Sequence, residues 1–330
     1  MNYLGFTSLI LVFLFLFILL LLLSCDIFYI GVIMKKIFNY LKLMRVKHYI
    51  KNLLIFLPII FSGKLFFSYK LFVSFFGFMS FSLISSIVYI FNDYKDIEKD
   101  RKHPVKKYRP LASGVISKND AVITIYVLSI IVFLINIFLI LPLAHNIYFI
   151  LLEILYLFLN VLYSFKLKDY PIIDILILVS GFLIRLLFGG VICNIVISSW
   201  LFLTIMSLSF YMVLGKRRNE LMKVSSSSRN VLKKYSKSYL DNFMNIFLAL
   251  VIVFYSLWCI DPLTIARIGD KAIYTVIFVI IILMKYSYDI EGDSLGDPVD
   301  VVYSDKILLL LSLLFGIVIL LLIYFRGVLL

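Results

Sequence analysis

Residues 69–110 read YKLFVSFFGFMSFSLISSIVYIFNDYKDIEKDRKHPVKKYRP. From Leu71 to Phe91 there is no charged residue, which is the length a helix needs to cross the hydrocarbon core of a bilayer, about 20 residues. The stretch then turns, without a linker, into a segment dense in acids and next in bases. Apolar runs recur on both sides of it, at about 3–23, 50–63, 121–142, 146–165, 172–195, 199–214, 243–260, 273–288 and 307–325. The run at 50–63 is short and interrupted by Pro58, so a kinked or half-buried helix is expected there. Hydrophobic residues make up 63% of the 330, against roughly 45–50% in soluble domains, and the mean hydropathy is +1.07. The solvent for most of this chain is lipid, and the expected fold is an all-α polytopic transmembrane bundle.

The charges orient it. If the nine runs from residue 50 onward all cross, 25 of the 32 Lys and Arg fall on one side and five on the other, with Arg185 and Lys285 inside spans. Cytoplasmic loops carry the excess of Lys and Arg, so the rich side faces the cytoplasm. Orientation thus accounts for the net charge of +13 without nucleic acid. A cysteine at Ser113, in a background lacking the native thiols, is expected to resist an impermeant thiol reagent on intact cells. Labelling there would reverse the orientation. Residues 1–33 would add one N-terminal transmembrane helix. They carry no positively charged start of the kind a signal peptide has, and Met34-Lys35-Lys36 reads equally as the true start of translation.

Cys25, Cys193 and Cys259 lie far apart and make neither a zinc pattern nor a disulfide framework. No Gly-rich phosphate loop, GxSxG or HExxH is present. The chemistry sits after the quoted span. Asp93, Asp96 and Asp100 are spaced i, i+3, i+7, which on a helix puts three carboxylates on one face. Unless a cation sits among them they repel, and Mg²⁺ commonly bridges one or two carboxylates to substrate phosphates. The plainer reading is a solvated acidic face. The bases that follow, through Lys106 and Arg109, complete a diphosphate site in which metal and cations share the neutralisation.

Asn92-Asp93-x-x-Asp96-x-x-x-Asp100 with Arg109-Pro110 behind it resembles the first signature of the UbiA superfamily of intramembrane prenyltransferases. The resemblance implies a nine-helix core, covering residues 34–330 here, with a central cavity and aspartates that hold Mg²⁺ on a diphosphate. Within the superfamily the chain is most similar to decaprenyl-phosphate phosphoribosyltransferases. That likeness rests on Arg45 to Leu54 with Lys51 and Asn52, on Asn92 to Pro110, on Tyr163 to Lys168 with Asp174 beyond, on Ser180 to Arg185, on Gly215 to Glu220 with Lys216 and Arg217, and on the acidic segment Asp289 to Asp305. It implies a soluble donor, phosphoribosyl pyrophosphate, and a polyprenyl phosphate acceptor.

The residues allow a reading beside the resemblance. Prenyl-diphosphate members carry a second aspartate motif where this chain has Lys216-Arg217-Arg218-Asn219-Glu220, so a basic cradle for a further phosphate fits better than a second metal cage. The bland account of those bases is anchoring to the membrane surface. Arg185 lies mid-span, where a charge is costly; its partner is either Glu153 or a substrate phosphate, and the phosphate is favoured. Tyr163 and Lys168 belong at the cytoplasmic rim. Asp174 is open between holding Lys168 and binding ribose hydroxyls. The expected activity is therefore phosphoribosyl transfer to a polyprenyl phosphate in the cytoplasmic membrane. An aromatic prenyltransferase is the first rival and a transporter of phosphorylated lipid the second. A homo-oligomer is compatible with all three.

Overall fold

The computed structural model describes residues 31–223, 230–291 and 296–325; the leading run at 3–23 lies outside them. Among the described residues every regular element is helical. Helix α1 (Gly31–Met44) leads into a 3-10 segment (Val46–Phe56) and the short α2 (Leu57–Phe61). Then follow α3 (Ser68–Lys95), α4 (Ile97–Arg101), α5 (Lys118–Ala144), α6 (Tyr148–Phe165), α7 (Ile173–Cys193) and α8 (Ser199–Lys223). The chain closes with α9 (Lys237–Ile260), α10 (Pro262–Ile268), α11 (Asp270–Glu291), α12 (Pro298–Ser304) and α13 (Lys306–Tyr324). Eight of these are long and apolar enough to cross a membrane.

The short run expected at 50–63 takes a different form. It lies on a 3-10 coil of 11 residues, Val46–Phe56, followed by the five-residue α-turn Leu57–Phe61. A 3-10 coil rises about 2.0 Å per residue against 1.5 Å for an α-helix, so the pair reaches about 30 Å, close to the hydrocarbon thickness. Its two ends mark that reach. Lys47 pairs with Asp300 just before α13, while the Leu65 N–H donates to the Tyr324 hydroxyl at the other end of α13. The thin coil is wedged against α7 at Gly189, where a Cβ would stand 2.1 Å from the Ile55 carbonyl oxygen. Only glycine permits that approach.

Helices α3 and α7 form the centre: 67% and 61% of their apolar windows are buried inside the protein, against 17% for α13. Two apolar clusters meet on α7. Phe81, Phe149, Ile184, Phe188 and Ile192 fill one, towards α3 and α6. Ile175, Val179, Tyr211, Leu240 and Leu283 fill the other, towards α8, α9 and α11. The buried serines of α3, Ser74, Ser80, Ser82, Ser85 and Ser86, let neighbouring backbones come close. Their hydroxyls stay satisfied inside the bundle; Ser85, for example, donates to the Phe81 carbonyl at 2.9 Å. Large apolar side chains on the outside, such as Phe133, Phe138, Leu310 and Ile317, are placed to face lipid.

Candidate active site

The polar groups collect where α3 and α8 end and α7 begins. The last turn of α3 carries Asn92 and Asp93, Asp96 is the joint, and α4 carries Asp100. Asp93 and Asp100 are each 3% exposed, and they share one nitrogen: Arg109 Nη1 donates to Asp93 Oδ1 at 3.0 Å and to Asp100 Oδ2 at 2.6 Å. Asp93 Oδ1 also accepts from Arg45 Nη2 at 2.5 Å. Arg45 reaches it through a left-handed backbone (φ 52°) between α1 and the 3-10 segment, its guanidinium 4.8 Å from the Tyr89 ring. Lys106 is half-buried, and its backbone N–H donates to His103 Nδ1 at 3.3 Å.

The expectation of three carboxylates on one face is corrected here. Asp96 turns away at the break between α3 and α4 and pairs with Lys168 at 3.2 Å. Among the described residues no three His, Cys, Asp or Glu side chains surround one point. The two convergent carboxylates still fit a hard cation. Oxygen donors are the right chemistry, they already converge on one cationic nitrogen, and Mg²⁺ is commonly held by one or two carboxylates plus substrate phosphates.

The structure also bears on the expectations for Arg217, Asp174 and Arg185. Arg217 is 0% exposed and does not line a cradle. Its Nε donates to Asp174 Oδ2 at 2.6 Å, Nη1 to Glu220 at 2.7 Å and Nη2 to the Tyr163 hydroxyl at 3.0 Å. Asp174, also 0% exposed, accepts a second bond from the Tyr235 hydroxyl at 2.7 Å. It therefore holds neither Lys168 nor an open face for a ribose. This knot sits beside Ile172, a β-branched residue at φ 68°, a conformation such residues rarely adopt; its N–H donates to the same Tyr235 hydroxyl at 2.6 Å. Arg185 does not meet Glu153. It donates to Asn52 Oδ1 and the Gly181 carbonyl at 2.6 Å each and to the Tyr156 hydroxyl at 3.0 Å. Its guanidinium carbon lies 4.9 Å from the Tyr156 ring centre and 5.2 Å from that of Phe81. Glu153 accepts instead from Ser80 at 2.8 Å and Asn136 at 2.5 Å. Neutral dipoles and ring faces thus carry the Arg185 charge.

The remaining candidates form a second group. Lys216 and Lys51 both reach Asp297, at 2.7 and 3.3 Å. Burial alone would raise the Asp297 carboxyl, but Lys216 and Lys51 outweigh it, with His48 adding to them, and hold it well below the usual carboxylate range. Asn92 Oδ1 accepts from Ser164 Oγ at 3.2 Å, which ties α3 to α6. Sequence reasoning gave no site role to Arg45, Asp297 or Tyr235. Arg45 stands in the stretch Arg45 to Leu54 and Asp297 in the acidic segment Asp289 to Asp305, but nothing in their spacing tells which acid meets which base.

Comparison with known proteins identifies the family. Residues 53–294 match the model of the UbiA prenyltransferase family. A decaprenyl-phosphate phosphoribosyltransferase of Mycobacterium tuberculosis is 32% identical over 240 residues, 71% of this chain and 76% of the relative. The Corynebacterium glutamicum protein of the same name is 29% identical over 283 residues, 83% of each chain. Among solved structures, a UbiA homolog from Archaeoglobus fulgidus bound to GPP and Mg²⁺ superposes with a TM-score of 0.59 at 17% identity, over 86% of this chain and 99% of that one. That likeness concerns the fold.

Proposed function

This chain belongs to the UbiA prenyltransferase family, whose relatives mark it as a membrane transferase, and we propose that it transfers phosphoribosyl from phosphoribosyl pyrophosphate to a polyprenyl phosphate. Pyrophosphate leaves, and the reaction runs at the cytoplasmic face of the inner membrane, where the charge asymmetry puts these loops. The observation that carries the reading is the fate of Glu220. It is the one carboxylate where prenyl-diphosphate members have a second aspartate motif, and it is committed to the buried Arg217. One acidic station, Asp93 with Asp100, therefore faces a surplus of bases. That balance suits a diphosphate together with further phosphates better than two metal cages.

Asp93 and Asp100 would hold Mg²⁺, which would supply charge neutralisation to the diphosphate and favour its departure. The protein supplies the rest. Arg109 and Arg45, freed from the carboxylates, turn to the diphosphate oxygens, where charge grows as the C1–O bond breaks and its electron pair leaves with pyrophosphate. Lys106 and Lys168 add cations at the rim. A phosphate oxygen of the acceptor forms the new bond to C1, and its isoprenoid tail stays among apolar side chains. Arg185, held by Asn52, sets a positive charge inside the bundle that favours an anionic acceptor. No side-chain nucleophile is needed; orientation and charge supply the catalysis. The test is pyrophosphate release by protein in lipid nanodiscs. Release should require phosphoribosyl pyrophosphate, polyprenyl phosphate and Mg²⁺ together, and release without polyprenyl phosphate would reject the acceptor.

A further inference from the structure

Lys51 and Lys216 come from the 3-10 segment and from α8, yet both ammonium groups meet one carboxylate. The His48 ring lies 4.0 Å from the same group, and its Nδ1 is buried with no hydrogen-bond partner. Asp297 is a poor filling for this cradle. It sets one negative charge against two lysines and leaves a buried nitrogen unsatisfied, which costs free energy. A phosphate monoester, with a charge of about −1.5 to −2 and three terminal oxygens, would answer all three groups.

The way Asp297 is delivered points the same way. Gly296 stands at φ 78°, and a Cβ there would come within 2.8 Å of Asn219 Cβ and 3.2 Å of Lys216 Cα. The backbone is thereby pressed onto α8 next to Lys216. Three residues on, Asp300 is held by Lys47 in a bridge whose side chains are 55% and 44% exposed, and such bridges contribute little. The contact that ties the Asp297 carboxylate to the site is the one an entering anion would contest.

We propose that His48, Lys51 and Lys216 form a binding site for a phosphate monoester of a substrate, and that Asp297 fills it as an internal stand-in until the substrate displaces it. The site is distinct from the Asp93–Asp100–Arg109 cluster, although the stretch from Arg45 to Lys51 contributes to both. Naming its ligand rests on the proposed reaction: the 5′-phosphate of the soluble donor and the phosphate of the lipid acceptor share this chemistry, and the experiment separates them.

The experiment compares wild type with Asp297→Asn and Lys216→Ala, full length and in nanodiscs, by calorimetric titration with ribose 5-phosphate and with farnesyl phosphate. Asn caps helices as well as Asp, so the bond that Asp297 accepts from the Val299 N–H at 3.1 Å can be kept while the charge is lost. Asp297→Asn should tighten one of the two ligands about tenfold, the scale of one lost charge-assisted competitor, and Lys216→Ala should weaken the same ligand about tenfold. Inorganic pyrophosphate with Mg²⁺ should bind Asp297→Asn within about twofold of wild type. A gain for ribose 5-phosphate supports the site and assigns it to the donor; a gain confined to farnesyl phosphate supports it and assigns it to the acceptor. Unchanged or weaker binding of both ligands overturns the proposal, as does an equal gain for pyrophosphate. Turnover with phosphoribosyl pyrophosphate is read separately, so a failure of the reaction and a failure of the site give different results.

Discussion

Asp93→Asn and Asp100→Asn are each expected to reduce turnover about 10²- to 10³-fold, the cost of removing one well-placed electrostatic group from a transition state. Each carboxylate is 3% exposed and faces the shared Arg109 nitrogen. Asn keeps the shape and loses the charge, so it weakens the hold on Mg²⁺ and leaves Arg109 tied to a single acid. Asp96→Asn should cost less, because that side chain is 21% exposed and answers to Lys168 alone. The measurement is kcat with saturating substrates and a Mg²⁺ titration, with thermal unfolding as the control for folding. Chelator should abolish wild-type turnover and Mg²⁺ restore it. Full activity in chelator, or equal losses in all three variants, would contradict the two-carboxylate site.

Arg217→Ala is expected to damage the fold before it damages binding. Removing the guanidinium would leave Asp174 charged and 0% exposed, with only the Tyr235 hydroxyl for company. Breaking a buried pair by removing one partner costs about 3–5 kcal/mol. The check is a double-mutant cycle with Asp174→Ala, followed by unfolding in detergent. The double variant should be far less damaged than the sum of the two singles, because the second change removes the charge that the first one orphaned. If Arg217→Ala unfolded like wild type and lost only donor affinity, the knot of Arg217, Asp174 and Tyr163 would be a ligand site after all.

These two cases show what the sequence could carry. Hydropathy placed the spans well: the run at 69–91 became Ser68–Lys95, and that at 172–195 became Ile173–Cys193. It stopped α8 too early, at about 214, whereas the helix continues to Lys223. The extra turns are polar by composition, yet Arg217 and Asn219 are buried there, with Arg217 meeting Asp174 from α7. A hydropathy window cannot see a charge neutralised by a partner 43 residues away. The 3-10 segment Val46–Phe56 was legible as an oddity and not as a geometry, since its close approach to α7 depends on the missing Cβ of Gly189. The aspartate motif announced the site from local spacing. Spacing said nothing of the return of Asp297 to Lys51 and Lys216, because Lys216 lies 81 residues before it and Lys51 is farther still along the chain.

The central claim concerns which group moves. Wild-type protein in nanodiscs, given polyprenyl phosphate, Mg²⁺ and equal amounts of phosphoribosyl pyrophosphate and geranylgeranyl diphosphate, can be read by mass spectrometry of the extracted lipid. The account predicts that the polyprenyl phosphate gains one phosphoribosyl unit while geranylgeranyl diphosphate remains intact. A lipid product carrying the prenyl group, with phosphoribosyl pyrophosphate left unused, would contradict it.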